Sequence, residues 1–93
     1  EPLTGLDLMR QRRKKTDPKL LSSGPGRLTQ AMGITRELNG ADLLGETIFI
    51  SPGAGAKPSQ IAAAKRIGVD YAEEWAAKPL RFYLRDNLFV SKL

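Results

Sequence analysis

"QIAAAKRIGVDYAEEWAAKPLRFYLRDNLFVSKL", residues 60–93, carries the strand signal of this chain. Leu80, Phe82 and Leu84 alternate with Arg81, Tyr83 and Arg85, so a strand over 79–85 turns one apolar row toward a core and one polar row away. Asp86 and Asn87 tolerate positive φ and suit a two-residue turn, after which Leu88, Phe89 and Val90 return as a strand over 88–91. Upstream, Ala72 to Ala77 reads as one or two helical turns carrying Trp75, stopped before Lys78-Pro79. The stretch from Gln60 to Val69 is open on periodicity. Its alanines favour a helix, and Ile61, Ile67 and Val69 with Gly68 allow an extended strand.

Working back from the tail, "SPGAGAKPS", 51–59, is a Pro/Gly loop with no Gly-Lys-Ser/Thr to close a nucleotide cradle. "ETIFI", 46–50, reads as a short strand from its β-branched and aromatic residues, and Asn39-Gly40 marks a turn before it. "LLSSGPGRLTQAMGI", 20–34, places Leu28, Ala31 and Met32 on one face of a helix from about 24 to 32. Ser22 or Ser23 is the expected cap, Pro25 suits the first turn, and Gly33 is a left-handed stop. Two readings of Gly24, Pro25, Gly26 and Arg27 stand side by side. They are helix punctuation beside a solvated arginine, or they are a phosphate site built from unpaired amides, the helix dipole and a guanidinium.

The N-terminal stretch "TGLDLMRQRRKK", 4–15, predicts a further helix capped by Thr4, with Leu6 and Met9 on one face and Asp7 near its positive end. Arg10, Arg12, Arg13, Lys14 and Lys15 crowd its last turns. A DNA-backbone stripe is one reading. Consecutive cations fan around a helix, however, and a helix C-terminus favours them electrostatically, so a structural and solubilising role is preferred.

Ninety-three residues with three Phe, two Tyr and one Trp suffice for one small domain with a modest core. Fifteen basic against ten acidic side chains, a net +5, suit a polyanionic partner such as nucleic acid. The absence of Cys and His removes disulfides, thiol nucleophiles, imidazole bases and thiolate or imidazole zinc sites, and leaves carboxylates, hydroxyls, amines and backbone for any chemistry. No apolar run is long enough for a membrane, which makes the default setting the cytoplasm or nucleoid, or the nucleus in a eukaryote. Opening at Glu1-Pro2-Leu3, the chain reads as a fragment or a processed product.

Three stretches taken together, "SSGPGRLTQAMGIT", "KRIGV" and "EEWAAKPLRFYLRDN" followed by Val90-Ser91, are similar in order and spacing to the second half of the alkyladenine (3-methyladenine) DNA glycosylase family. The resemblance runs from about Glu1 to Ser91. It implies an α+β fold with a curved mixed sheet and flanking helices, with strands near 46–50, 60–67, 79–85 and 88–91. Residues 1–93 would then be the C-terminal half of a single domain lacking its N-terminal half.

The implied activity is that of a monofunctional glycosylase, which flips an alkylated or deaminated purine out of duplex DNA and hydrolyses its glycosidic bond with an activated water, in base excision repair; it implies no metal and no cofactor, in keeping with the absence of His and Cys. Gly24 to Arg27 and Arg36 fall where the family clamps the DNA backbone. The backbone carbonyl of Ile67 falls where one contacts the attacking water, and Gly68 where backbone approaches substrate closely. The resemblance places the general-base glutamate, the side chain that replaces the flipped nucleotide and the aromatic pocket walls in the half not present here, and a water-holding arginine just before Glu1. Glu73 and Glu74 are therefore read as solvent-facing charge. Lys65 departs from the proline common at its position, and Arg27 from lysine. The fragment alone is expected to be inactive, its partners being damaged duplex DNA and the missing half. The rival expectation, from composition alone, is a small basic nucleic-acid-binding module without catalysis.

Overall fold

The computed structural model describes residues 1–91. The chain is α+β and divides into two compact units, Glu1–Pro52 with Ser91, and Gly53–Val90. No helix among the described residues is long and apolar enough to cross a membrane.

The first unit is built on two eight-residue helices, α1 (Leu6–Arg13) and α2 (Pro25–Met32), which pack on each other. Both expected side-chain caps give way to glycine. Gly5 at φ 69° precedes α1 where Thr4 was expected, and Gly24 at φ 125° precedes α2 where Ser22 or Ser23 was expected. Both glycines occupy backbone regions that side chains disfavour, so the chain turns sharply into each helix without a hydroxyl cap. Helix α1 stops at Arg13, two residues short of the expected end, because Lys14 flips to φ 55°. The Arg10 guanidinium then ties the following chain down through the Thr16 carbonyl, at 3.0 Å. Asp17 starts the next turn, over Pro18–Leu20, by accepting from the Lys19 amide at 3.0 Å.

The end of α2 is a complete Schellman motif. Gly33 at φ 68° donates to the Gln30 carbonyl and Ile34 to that of Thr29, which satisfies two of the helix's last carbonyls. Leu21 and Ala31 are fully buried in this unit. Leu28 and Met32, expected to pack inward with Ala31, remain 42% and 46% exposed. They line a shallow cleft with Leu3 and Met9 rather than a closed core.

Basic side chains fasten the two helices by hydrogen bonds. Arg13 donates to the carbonyls of Leu20 and Leu21 at 3.0 and 3.1 Å and to Gln30 Oε1 at 2.8 Å. Arg12 reaches the Ala31 carbonyl at 3.0 Å. The structural reading of this cluster therefore stands for these two residues, through specific bonds rather than general solubility.

The segment 46–50 is not a strand. Leu44 and Phe49 form an isolated antiparallel bridge with no further pairing, since no neighbouring strand lies along it.

In the second unit, β1 (Ile61–Ala64) pairs antiparallel with β2 (Arg81–Leu84), Ile61 opposite Leu84 and Ala64 opposite Arg81. The strand alternative for 60–67 thus holds over Ile61–Ala64 and not beyond, and of the strand expected over 79–85, Arg81–Leu84 forms β2. The expected return over 88–91 does not form a strand, because the chain after Asp86 breaks into turns, the Val90 amide closing back on the Asn87 carbonyl at 3.2 Å. The described sheet is accordingly a two-stranded antiparallel ribbon. Between the strands, Asp70–Ala76 forms tight helical turns interrupted at Glu73, whose φ of 54° and ψ of −127° break the run. Trp75 lies on this segment, with Lys78 Nζ 3.5 Å from its ring centroid.

The alternation of β2 is as expected, but its sense is inverted. Phe82 and Leu84 are 65% and 41% exposed, whereas Arg81 and Tyr83 are half-buried. Leu80 is also 43% exposed.

Candidate nucleic-acid interface

The mouth of α2 follows from its sequence. Pro25 at the first helical position has no amide to lose, and the Leu28 amide makes the first helical bond, to the Gly24 carbonyl at 2.8 Å. The amides of Gly26 and Arg27 therefore lie in the first turn without an intrahelical acceptor. A Cβ built on Gly24 or Gly26 meets nothing within 4 Å, so both glycines face open space. Thr29 Oγ1 donates to the Gly26 carbonyl at 2.9 Å and braces this turn.

Arg27 is exposed, and its Nη1 donates to Ser23 Oγ at 3.0 Å. That bond holds one edge of the guanidinium against the residue preceding the helix mouth and leaves its remaining donors for a ligand. Ser23 thus positions Arg27 rather than capping the helix, a role invisible in its spacing.

Arg36 lies beyond the other end of α2, as the first residue of a turn over Arg36–Leu38. It lines an open groove of about 710 Å³ whose walls include Ile34, Leu38, Leu43 and Ile48. Arg27 and Arg36 therefore bracket one helix, two cations at its opposite ends.

Ile67 and Gly68 belong to the second unit, in the connection between β1 and the turns beginning at Asp70. Ile67 is 50% exposed; Gly68 adopts φ 76° with open space where a side chain would project. The Lys65 carbonyl, just before them, accepts from Arg81 Nε at 3.4 Å. A backbone held this way presents Ile67 at an accessible bend, as the glycine following it requires. Glu73 and Glu74 are exposed. Among the described residues no cluster of three or more metal-ligating side chains occurs.

What this geometry can do chemically is bind anions at the α2 mouth and offer accessible backbone at the Ile67–Gly68 bend. Comparison with known proteins gives it a family. The model of the methylpurine-DNA glycosylases matches residues 1–88. A protein of Natranaerobius thermophilus is 46% identical over 98% of this chain, and one of Methanoculleus marisnigri 44% identical over 99%; each alignment covers 48% of the relative. A third, from Lactiplantibacillus plantarum, is 39% identical over the whole chain and 44% of its own length. All three are assigned by name to the 3-methyladenine DNA glycosylases. The chain spans about half the length of these relatives, and over that half, glycine-gated helix and strand pair alike, it belongs to the methylpurine-DNA glycosylase family.

Proposed function

We propose that this chain supplies the C-terminal half of a monofunctional DNA glycosylase, which extrudes alkylated or deaminated purines from duplex DNA and hydrolyses their glycosidic bond. The observation that carries the proposal is the α2 mouth within a chain of this family: two first-turn amides, two unobstructed glycines and an arginine oriented by Ser23, together suited to a phosphate. The amides of Gly26 and Arg27 and the Arg27 guanidinium grip one phosphate on the turn that Gly24 and Pro25 shape, Arg36 grips a second, and these contacts set register on the duplex without reading bases.

Cleavage develops positive charge on the sugar, so the water must be deprotonated by a carboxylate held beside it. The exposed carboxylates Glu73 and Glu74 are not assigned that role. The general base comes from the remaining half of the protein, and this chain contributes the Ile67 carbonyl as an acceptor orienting the water, with Gly68 giving the substrate room to approach. Duplex DNA containing a damaged purine and the complementary half are its partners.

The test is excision from duplexes containing hypoxanthine or a 3-methyladenine analogue, by this chain alone and by the chain assembled with its complementary half. Release only by the assembled form is the expected result. Binding of duplex DNA without release by either form would support the rival reading, a non-catalytic nucleic-acid-binding module.

A further inference from the structure

Residues 65–68 carry the chain from β1 to the turns that begin at Asp70. Ladder pairing ends at Ala64 opposite Arg81, and Gly68 at φ 76° reverses the backbone directly after Ile67. A glycine at such a bend widens the conformations open to the peptide, so something else must narrow them. Two guanidiniums tie this bend at both sides. Arg81 Nε donates to the Lys65 carbonyl at 3.4 Å, and Arg66 Nη2 donates to the Trp75 carbonyl at 3.4 Å. Each tie is seated on an aromatic residue: Arg81 Cζ lies 4.6 Å from the Tyr83 ring centroid, and the Trp75 ring carries Lys78 Nζ at 3.5 Å. The Nε of Arg66 is shielded from solvent and has no acceptor among the described residues. An unpaired desolvated donor costs stability, which sets Arg66 apart from Arg13, whose three guanidinium nitrogens all donate.

We infer that Arg66 and Arg81 are positioning residues for the proposed reaction, holding the Ile67–Gly68 peptide from both sides so that the Ile67 carbonyl keeps one orientation. The inference rests on the glycosylase reading, in which that carbonyl orients the attacking water. Neither arginine touches the water; each acts through the peptide plane. Arg81 fixes the chain where it leaves β1, and Arg66 fixes it to the turns that follow, so the loss of either frees one side of the bend. The consequence falls on rate and not on affinity, because a water held at the wrong angle still leaves the duplex bound, while misplacing a reacting group by about 1 Å costs up to about 10²-fold in rate.

Two measurements on the protein assembled with its complementary half test this. Ile67–Gly68 is the one Ile-Gly step in the sequence, so labelling this chain alone with carbonyl-¹³C isoleucine and ¹⁵N glycine gives a single NMR correlation for that peptide. Arg81→Ala, remote in sequence from the labels, should shift this signal and speed exchange of the Gly68 amide. In single-turnover excision at saturating protein, Arg66→Ala and Arg81→Ala should each lower the rate by about tenfold or more, with affinity for the damaged duplex held within about twofold. Arg66→Lys, which keeps one donor, should recover part of the rate. Because Arg81 lies in β2 and its removal also strains the ribbon, Arg66→Ala, outside both strands, decides independently. An unchanged rate, an unmoved Ile67–Gly68 signal, or a loss confined to affinity and equal on undamaged duplex would each overturn the assignment. A signal that moves as expected, in a protein whose unsubstituted form releases no base, would instead count against the glycosylase reading.

Discussion

Arg13 and Gln30 meet across the two helices through a 2.8 Å hydrogen bond, and the same guanidinium spans the carbonyls of Leu20 and Leu21. One side chain of α1 thereby fixes the partner helix and the backbone of the fully buried Leu21. Arg13→Ala should lower stability by about 2 kcal/mol, since carbonyls satisfied by a charged donor lose it together. Arg13→Lys should recover only part of this, because an ammonium cannot span three acceptors in a plane. Denaturant unfolding of the three proteins gives the ranking; equal stability of all three would remove Arg13 from the helix contact.

Gly33 ends α2 at φ 68°, and a Cβ there would lie 3.0 Å from Arg12 Cζ, whose guanidinium is held by the Ala31 carbonyl. Gly33→Ala should therefore cost about 1–2 kcal/mol from backbone conformation alone, with a further loss from displacing Arg12. In the Arg12→Ala background the same substitution should cost less. A double-mutant cycle measures that coupling, and strict additivity would show that Arg12 does not crowd the position.

In the complete protein, Arg27→Ala and Arg36→Ala should weaken damaged and undamaged duplexes by similar factors and flatten the salt dependence by about 0.9 each, the share of one phosphate. Ser23→Ala should leave the slope unchanged and weaken binding only slightly, because Ser23 orients the charge without supplying it. Fluorescence anisotropy over a salt series distinguishes these outcomes. A substitution that weakens only the damaged duplex would assign its arginine to lesion recognition.

The chain by itself should release no base, removal of a general base costing about 10²–10⁴-fold in rate. In the assembled protein, Glu73→Gln and Glu74→Gln should retain excision within about twofold, as expected of exposed charge. Single-turnover assays are the measurement. A collapse of the rate in either variant would place the base on this chain.

With so few residues fully buried, the isolated chain should melt in a shallow transition well below about 65 °C and bind a hydrophobic dye. Differential scanning calorimetry and dye fluorescence check this together. A sharp, reversible transition above that temperature without dye binding would mean that the apolar ribbon face is covered in solution.

Local chemistry accounts for what was legible in the sequence. Helix α2 was readable at both ends because Pro25 and Gly33 each admit few backbone conformations. The alternation in β2 was readable for the same kind of reason, but which row is buried depends on what packs against it, and that is not local. The segments 46–50 and 88–91 have strand-like composition without a strand to pair with. Periodicity left β1 open, since three consecutive alanines suit either state. At the site, Arg27 was a candidate from spacing alone. Its orientation by Ser23, and the fastening of α2 by Arg12 and Arg13, depend on three-dimensional proximity that no spacing rule contains.

The pairing of β1 with β2, whose connection contains the tight turns of Asp70–Ala76, bears on the order in which the protein forms. The ribbon closes over residues 65–80 and the helix pair over residues 14–24, so each forms from neighbouring stretches of chain, and the entropy lost on closing such connections grows only slowly with their length. Each unit can therefore organise itself early. During that interval the exposed edges of the ribbon are vulnerable to pairing with the wrong chain, so the turns that close it guard against aggregation as well as shaping it.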